Sequence, residues 1–163
     1  MNNNQIKRIN EWKRKNYKIG VCNGCFDLLH SGHKYLIKKA KAKTDKLIML
    51  INSDNSIKKI KGKLRPFESL ITRTKKLNKL RTVDLVISFN QTTPLKTIKK
   101  IKPNYIFKGS DYKKEKISGY NFIKKCGGKV IIIKRLEDYS TTSIIKKRWF
   151  LSFVFVFCFV FVS

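Results

Sequence analysis

Five short apolar runs recur along this chain of 163 residues, and segments of helical character separate them. Compact runs rich in Ile, Leu, Val and Phe are typical of buried strands in a parallel sheet. Strands that alternate with helices predict an α/β domain, here a five-stranded parallel sheet with helices on both faces. The predicted strands cover residues 18–22, 46–51, 85–89, 105–107 and 130–133.

Local start and stop signals place the helices between these strands. Pro66 favours a first helical turn, Pro103 ends a helix, Gly127 favours a C-terminal stop, and Ser140 is a good N-cap. Parallel sheets bind ligands beyond the carboxyl ends of their strands, so polar motifs at those ends are candidate site residues. The predicted helices cover residues 6–15, 31–43, 67–80, 94–102, 118–126 and 141–147.

The formal net charge of +28 raises the question of nucleic-acid binding. Lysine supplies 31 of the 38 basic residues and arginine only 7, although arginine makes the bidentate phosphate and base contacts of nucleic-acid readers. The lysines are also spread along the whole chain. We therefore expect an enzyme that binds anions and has a solvated basic surface, with no specific nucleic-acid partner.

Four cysteines stand at positions 22, 25, 126 and 158. Residues 1–10 have no apolar core of the kind a secretory signal needs, so we expect a cytoplasmic protein without disulfides. Cys22 and Cys25 have C-x-x-C spacing, which occurs in redox and zinc sites. No second C-x-x-C pair exists, and Cys22 ends a predicted buried strand. A structural role is the better interpretation.

Residues 149–163 differ in composition from the rest of the chain, since they are almost wholly Phe, Val, Leu and Cys. As a helix this segment would span about 22 Å, short of the ~30 Å hydrocarbon core of a bilayer. Association with a membrane through a tail anchor and packing as a final strand are two interpretations. The favoured one is a change of reading frame or coding bias. We therefore predict a domain over residues 1–147 and an apolar tail over 148–163.

The strongest functional signal is residues 24–33, where the first strand turns into a helix. His30 and His33, the two histidines of the chain, flank Gly32 there. The N–H groups of a helix N-terminus attract anions, and two imidazoles beside them can donate hydrogen bonds to a triphosphate and to departing pyrophosphate. Gly24 and Gly32 lack side chains, which lets phosphates approach the backbone. This pattern predicts a phosphate-binding catalytic turn.

Residues 23–33 resemble the H-x-G-H signature of the cytidylyltransferase-like nucleotidyltransferases, which have a Rossmann-like fold. Further motifs resemble the adenylyltransferase domain of the bifunctional heptose kinase/adenylyltransferases, and the likeness runs in order from about residue 6 to residue 147. These motifs lie at positions 52–54, 61–62, 65–66, 73, 83–84, 93–95, 102–103, 108–112 and 139–145.

The resemblance implies a role for each matching position, and no residue is implied as a metal ligand. A Ser-Thr-Thr run at a helix start also offers hydroxyls and backbone N–H groups to an anion, and simple capping is the less favoured alternative. The implied catalytic residues are His30, His33 and Lys61. Arg73 is implied to bind the phosphate of the second substrate. The implied nucleotide-binding residues are Gly24, Cys25, Phe26, Asp27, Gly32, Lys108, Gly109, Asp111, Ser140, Thr141 and Thr142.

The reaction implied is transfer of AMP from ATP to a sugar 1-phosphate, with Mg²⁺ on the triphosphate and release of pyrophosphate. Heptose 1-phosphate is the favoured sugar phosphate. Ser110 and Asp138 replace glycines that are usual in the family, and Arg135 resembles the glycerol 3-phosphate cytidylyltransferases. A cytidylyltransferase acting on an alcohol phosphate is therefore the alternative. ATP and a sugar phosphate are the expected partners, and a homodimer is left open.

Overall fold

The computed structural model describes residues 1–134 and contains one five-stranded parallel sheet in the order β3-β2-β1-β4-β5. This confirms the predicted α/β class with its five parallel strands. The strands are β1 (Ile19–Gly24), β2 (Lys46–Asn52), β3 (Leu85–Phe89), β4 (Tyr105–Gly109) and β5 (Lys129–Ile133). The helices are α1 (Asn3–Arg14), α2 (Ser31–Lys41), α3 (Asp54–Lys61), α4 (Leu70–Asn78), α5 (Leu95–Ile101) and α6 (Tyr120–Lys125), with a 3-10 turn at Lys114–Lys116.

The helices cover both faces of the sheet because successive strand residues point to opposite sides. Val21 contributes to one core cluster, and its neighbour Cys22 contributes to the other. The first cluster packs against α1, α5 and α6, and the second packs against α2 and α4. Since β1 and β2 are covered on both faces, their side chains are almost wholly apolar, as the sequence predicted.

The strand order places the site at a topological switch point. From β1 the chain moves to β2 and β3 on one side, and it then crosses back to β4 on the other side of β1. Val21 of β1 lies in register with Ile48 of β2 and with Ile106 of β4. The connections leaving β1 and β4 therefore diverge, and a crevice opens between their carboxyl ends.

The region between β2 and β3 differs from the prediction. Helix α3 was not predicted, and the helix expected over residues 67–80 occupies Leu70–Asn78 instead. Ser69 is its N-cap and accepts a hydrogen bond from the backbone N–H of Thr72, so Pro66 lies before the helix, after a cis peptide bond, and not in its first turn. The backbone of residues 67 and 68 is instead bonded to Asp27.

The helix predicted at residues 141–147 and the apolar tail lie outside the described residues. Within residues 1–134, none of the helices has both the length and the apolar character needed to cross a bilayer.

Candidate active site

A cavity of about 400 Å³ opens beyond the carboxyl ends of the central strands. Every described residue that the sequence assigned to the nucleotide or to catalysis contributes to its lining, and Arg73 does not. From the assigned set the cavity is lined by Gly24, Cys25, Phe26, Asp27, His30, Gly32, His33, Lys61, Lys108, Gly109 and Asp111. Ser140, Thr141 and Thr142 lie outside the described residues.

The two histidines form a reciprocal cap at the start of α2. His30 is the N-cap residue, and its Nδ1 accepts a hydrogen bond from the backbone N–H of His33 at 3.4 Å. The backbone N–H of His30 in turn donates to Nδ1 of His33 at 3.5 Å. Both bonds are long, but they assign the acceptor role to Nδ1 in each ring. In the neutral imidazoles the proton is therefore on Nε2, which becomes the ring's donor.

Stacking holds the two rings together. The centroids of His30 and His33 are 3.8 Å apart with 27° between the ring planes, and Phe26 meets His33 edge-on at 5.2 Å. His30 is only 9% exposed. A pair fixed by backbone hydrogen bonds, stacking and a neighbouring aromatic ring needs little reorganisation to present two donors to an anion.

The backbone of this turn is unusual for the residues it contains. Phe26 and Leu28 have φ angles of 49° and 60°, in the left-handed region that bulky residues rarely adopt. Such a conformation costs on the order of 1–3 kcal/mol for each residue and persists only where surrounding contacts impose it. Gly24 packs closely against Phe26, since a Cβ at this glycine would lie 3.3 Å from the phenyl ring. The close approach of Gly24 to Phe26 is therefore one of the contacts that hold the turn in this conformation.

Lys108 is held at the opposite side of the crevice, at the end of β4. Its Nζ donates to the backbone carbonyl of Asn23 at 2.8 Å and lies 4.4 Å from the ring centroid of Tyr112. Burial lowers the pKa of Lys108, and the neighbouring Asp111 opposes this shift while Lys61 adds to it. Lys61 and Lys108 both line the cavity, so their positive charges act on the same ligand-binding space.

Cationic side chains outnumber carboxylates in the lining. Four lysines line the cavity, at positions 61, 108, 116 and 134, against two aspartates. One of these, Asp27, accepts the backbone N–H groups of Phe67 and Glu68 at 3.0 Å and lies 3.1 Å from Nε of Arg65. Its charge is thus already compensated within the protein. The cavity suits polyanionic ligands.

Two of the residues assigned to the site from the sequence use their side chains mainly for contacts within the protein. Asp27 lines the cavity but uses its carboxylate to fasten residues 65–68 to the histidine turn. Arg73 is buried at 1% exposure, outside the cavity lining, and donates to Asp54 and to the backbone carbonyls of Cys25 and Glu68. The structure does not bring its guanidinium into the cavity with the histidines.

The cavity also contains polar residues to which sequence reasoning gave no role. Thr92 and Thr93 follow β3, Asn52 ends β2, and Ser118 lies before α6. Their position after strand ends was a usable signal for Asn52 and the threonines. Ser118 and Lys116 had no such signal, because their approach to the cavity depends on how the loop after β4 folds. This second set includes Asn23, Asn52, Thr92, Thr93, Tyr112, Lys116, Ser118 and Lys134.

Three of the cysteines lie among the described residues, and none of these three forms a disulfide. Cys22, Cys25 and Cys126 are free, and within residues 1–134 no cluster of three or more His, Cys, Asp or Glu side chains could hold a metal ion. Burial raises the pKa of Cys22 to about 12, so this thiol is not a nucleophile near neutral pH. Cys25 lines the cavity with its Sγ 3.9 Å from Oδ1 of Asn52.

The structure thus combines a histidine pair that caps a helix with a lysine-lined cavity at the switch point of a parallel sheet. This combination is typical of a class of enzymes that act on phosphate groups. Residues 21–147 match the cytidylyltransferase-like family. The chain belongs to this family, and it is a nucleotidyltransferase.

Curated relatives are similar over most of this chain. It is 43% identical over 139 residues to the bifunctional protein HldE of Paramagnetospirillum magneticum, covering 85% of this chain and 28% of that protein. It is 41% identical over 140 residues to the bifunctional protein HldE of Rhodopseudomonas palustris, covering 86% and 29%. The chain thus spans less than a third of the length of these relatives.

Solved structures agree on the fold. A lipopolysaccharide core biosynthesis protein from Thermoplasma volcanium superimposes with a TM-score of 0.59 at 28% identity, covering 76% of this chain and 99% of that one. Pantoate-beta-alanine ligase from Francisella tularensis gives a TM-score of 0.52 at 20% identity, covering 85% and 73%. At that identity the second likeness concerns the fold alone.

Proposed function

We propose that this nucleotidyltransferase transfers AMP from ATP to a sugar 1-phosphate, heptose 1-phosphate first among them, releasing pyrophosphate and forming an ADP-sugar. The observation that carries the proposal is the capped histidine pair in a cavity lined by four lysines. The substrate choice is supported by the similarity to HldE, a heptose kinase/adenylyltransferase, over about 85% of this chain. The lipopolysaccharide relative supports the same carbohydrate context.

In this proposal the histidine turn binds the triphosphate. Nε2–H of His30 and of His33 donates to phosphate oxygens, and the N–H groups at the start of α2 add to the attraction. These donors stabilise the negative charge that grows on the pyrophosphate as its bond to the α-phosphorus breaks. Lys61 and Lys108 approach from the other elements and compensate the charge of the two substrates.

The reaction needs no covalent enzyme intermediate. A phosphate oxygen of the sugar 1-phosphate is itself the nucleophile, and as an anion it needs no general base. It attacks the α-phosphorus in line with the departing pyrophosphate. The buried, fully protonated thiol of Cys22 is unsuited to compete with it. The side chains therefore act by positioning the two substrates and by stabilising charge.

We place the divalent cation, Mg²⁺, on the triphosphate. Among residues 1–134 there is no cluster of three ligating side chains, and Asp27 is committed to Arg65 and to backbone N–H groups. This fits Mg²⁺, which binds substrate phosphates and retains waters with one or two carboxylates at most. Asp111 is the cavity-lining carboxylate that would contact such an ion or its waters. The ion supplies neutralisation of phosphate charge.

A substrate panel tests the proposal. The purified full chain is incubated with Mg²⁺, each of the four nucleoside triphosphates, and heptose 1-phosphate, other sugar 1-phosphates or glycerol 3-phosphate, and pyrophosphate release is measured. The expected result is release that depends on ATP together with a sugar 1-phosphate. Preference for CTP with glycerol 3-phosphate would contradict the proposal in favour of the cytidylyltransferase alternative.

A further inference from the structure

Arg73 is the centre of a buried network that joins three separate parts of the chain. It lies in α4, and its guanidinium makes three contacts, one with each nitrogen. Nε donates to the carbonyl of Glu68 at 3.0 Å, Nη1 to the carbonyl of Cys25 at 2.7 Å, and Nη2 to Oδ1 of Asp54 at 2.7 Å. Each of the three nitrogens therefore donates one hydrogen bond to a protein acceptor, and the side chain is buried.

Two of these acceptors belong to elements that build the cavity. Cys25 lies in the histidine turn, residues 24–33, and immediately precedes Phe26, whose φ of 49° must be imposed by surrounding contacts. Asp54 is the first residue of α3, and the last residue of α3 is Lys61, which lines the cavity. An eight-residue helix is about 12 Å long, so a change in its tilt at Asp54 moves the far end.

Asp54 also ties this network to the start of α4. Its Oδ2 accepts the backbone N–H of Leu70 at 3.1 Å while its Oδ1 holds Arg73. The planar fork of an arginine satisfies such divergent acceptors in fixed geometry, which a lysine ammonium cannot reproduce. The pair is therefore suited to set the orientation of α3 relative to the histidine turn.

We propose that Arg73 is a positioning residue and not a substrate-phosphate ligand: through Asp54 and the carbonyl of Cys25 it holds Lys61 and the histidine turn in one fixed arrangement. This inference rests on the proposed nucleotidyl transfer for its kinetic consequences, but its structural part stands independently. Loss of the network should lower kcat, because a displacement of about 1 Å costs up to ~100-fold in rate even when made away from the chemistry.

The kinetic test compares Arg73→Met, Arg73→Lys, Asp54→Asn and the double variant Arg73→Met/Asp54→Asn. We expect each single change to lower kcat by about 10- to 100-fold with smaller changes in KM, and Arg73→Lys to retain more activity than Arg73→Met. The double variant should be little worse than the worse single one, because both remove the same contact. If Arg73→Met does not fold, Asp54→Asn and Arg73→Lys carry the comparison.

Asp84→Asn is the matched control. Asp84 likewise pairs with a cationic side chain, Lys41 at 2.6 Å, and accepts one backbone N–H, that of Leu47 at 2.7 Å. Lys46 is a second, more distant cation at 3.7 Å, and Asp84 lies outside the cavity lining. This variant should lose stability and keep its kcat. The opposite outcome is that Arg73→Met raises KM for one substrate without changing kcat, while Asp54→Asn changes neither. That outcome would indicate that Arg73 is a phosphate ligand and would overturn the inference.

Hydrogen exchange gives a readout that does not depend on activity. In Asp54→Asn and Arg73→Lys the amides of residues 25–31 and 54–61 should exchange faster together, whereas Asp84→Asn should affect the surroundings of residues 41–47. If the wild-type chain is inactive in the substrate panel, the proposed function fails while this measurement still decides the positioning role. Unchanged exchange in both segments would overturn it.

Discussion

Two regions around the cavity contain similar polar residues and use them in opposite ways. In the histidine turn, residues 24–33, the backbone bonds to Nδ1 of each imidazole and the rings line the cavity. In the α3–α4 segment, residues 54–73, the side chains of Asp54, Arg65 and Arg73 bond to other protein groups, and Lys61 is the basic residue that lines the cavity. Residue type alone therefore does not distinguish a side chain that contacts the cavity from one that bonds within the protein. What separates them is the partner that folding supplies.

The largest effect is expected at the histidine turn. His30→Ala and His33→Ala should each lower kcat by about 100- to 1,000-fold, the usual cost of losing one donor to a developing negative charge. Steady-state kinetics with pyrophosphate detection measures this loss. Near-normal turnover of both variants would contradict the idea that the histidine turn, unlike the α3–α4 segment, uses its side chains to contact the substrate.

His30→Asn sharpens the same experiment, because His30 is also a helix N-cap. Asparagine is among the best N-cap residues and restores an acceptor for the backbone of α2, but it lacks the imidazole. We expect His30→Asn to recover thermal stability relative to His30→Ala without recovering kcat. Recovery of activity would show that capping, and not donation to phosphate, explains the loss.

A smaller effect is expected in the α3–α4 segment at Lys61. Lys61→Ala should lower kcat/KM by about tenfold, since Lys61 is exposed and its charge-assisted hydrogen bond is expected to contribute about 1.5 kcal/mol, the low end of the usual range. Lys59→Ala is the control, because both lysines are exposed on α3 but only Lys61 lines the cavity. Equal losses in the two variants, removed together by added salt, would indicate a general field effect instead of a contact.

The smallest effect concerns stability and comes from Lys108, on the strand facing the histidine turn. Burial lowers its pKa from the ordinary value of 10.5. Between the lowered pKa and 10.5, the unfolded chain holds a proton that the folded protein has released. The free energy of unfolding therefore rises with pH in that window. Lys108→Met lacks this contribution.

We thus expect the stability of the wild type relative to Lys108→Met to increase as the pH rises towards the ordinary pKa of 10.5. Urea unfolding at several pH values measures the difference. Lys129→Met, at an exposed lysine of the neighbouring strand β5, should show no comparable trend. If the free energy of unfolding of the wild type instead falls relative to that of Lys108→Met as the pH rises, the assigned direction of the shift in the pKa of Lys108 is contradicted.

The parallel sheet and the histidine pair can both be predicted from the residues alone. Strands β1 and β2 are buried on both faces, so nearly every side chain in them must be apolar, and such runs are visible without a structure. The histidine pair is equally local, because His30 and His33 are three residues apart and cap each other within one helical turn. Short-range geometry of this kind is contained in the residue spacing.

The bonding partners of Asp27 and Arg73 depend on contacts between distant parts of the chain. Asp27 bonds to Phe67, 40 residues further along, and Arg73 bonds to Cys25, 48 residues before it. Helix α3 went unpredicted because it is short, and its first residue bonds to Leu70 and Arg73 of α4. A buried charge must find a partner, and the partners available depend on which distant segments the sheet brings together. Residue spacing along the chain does not contain that information.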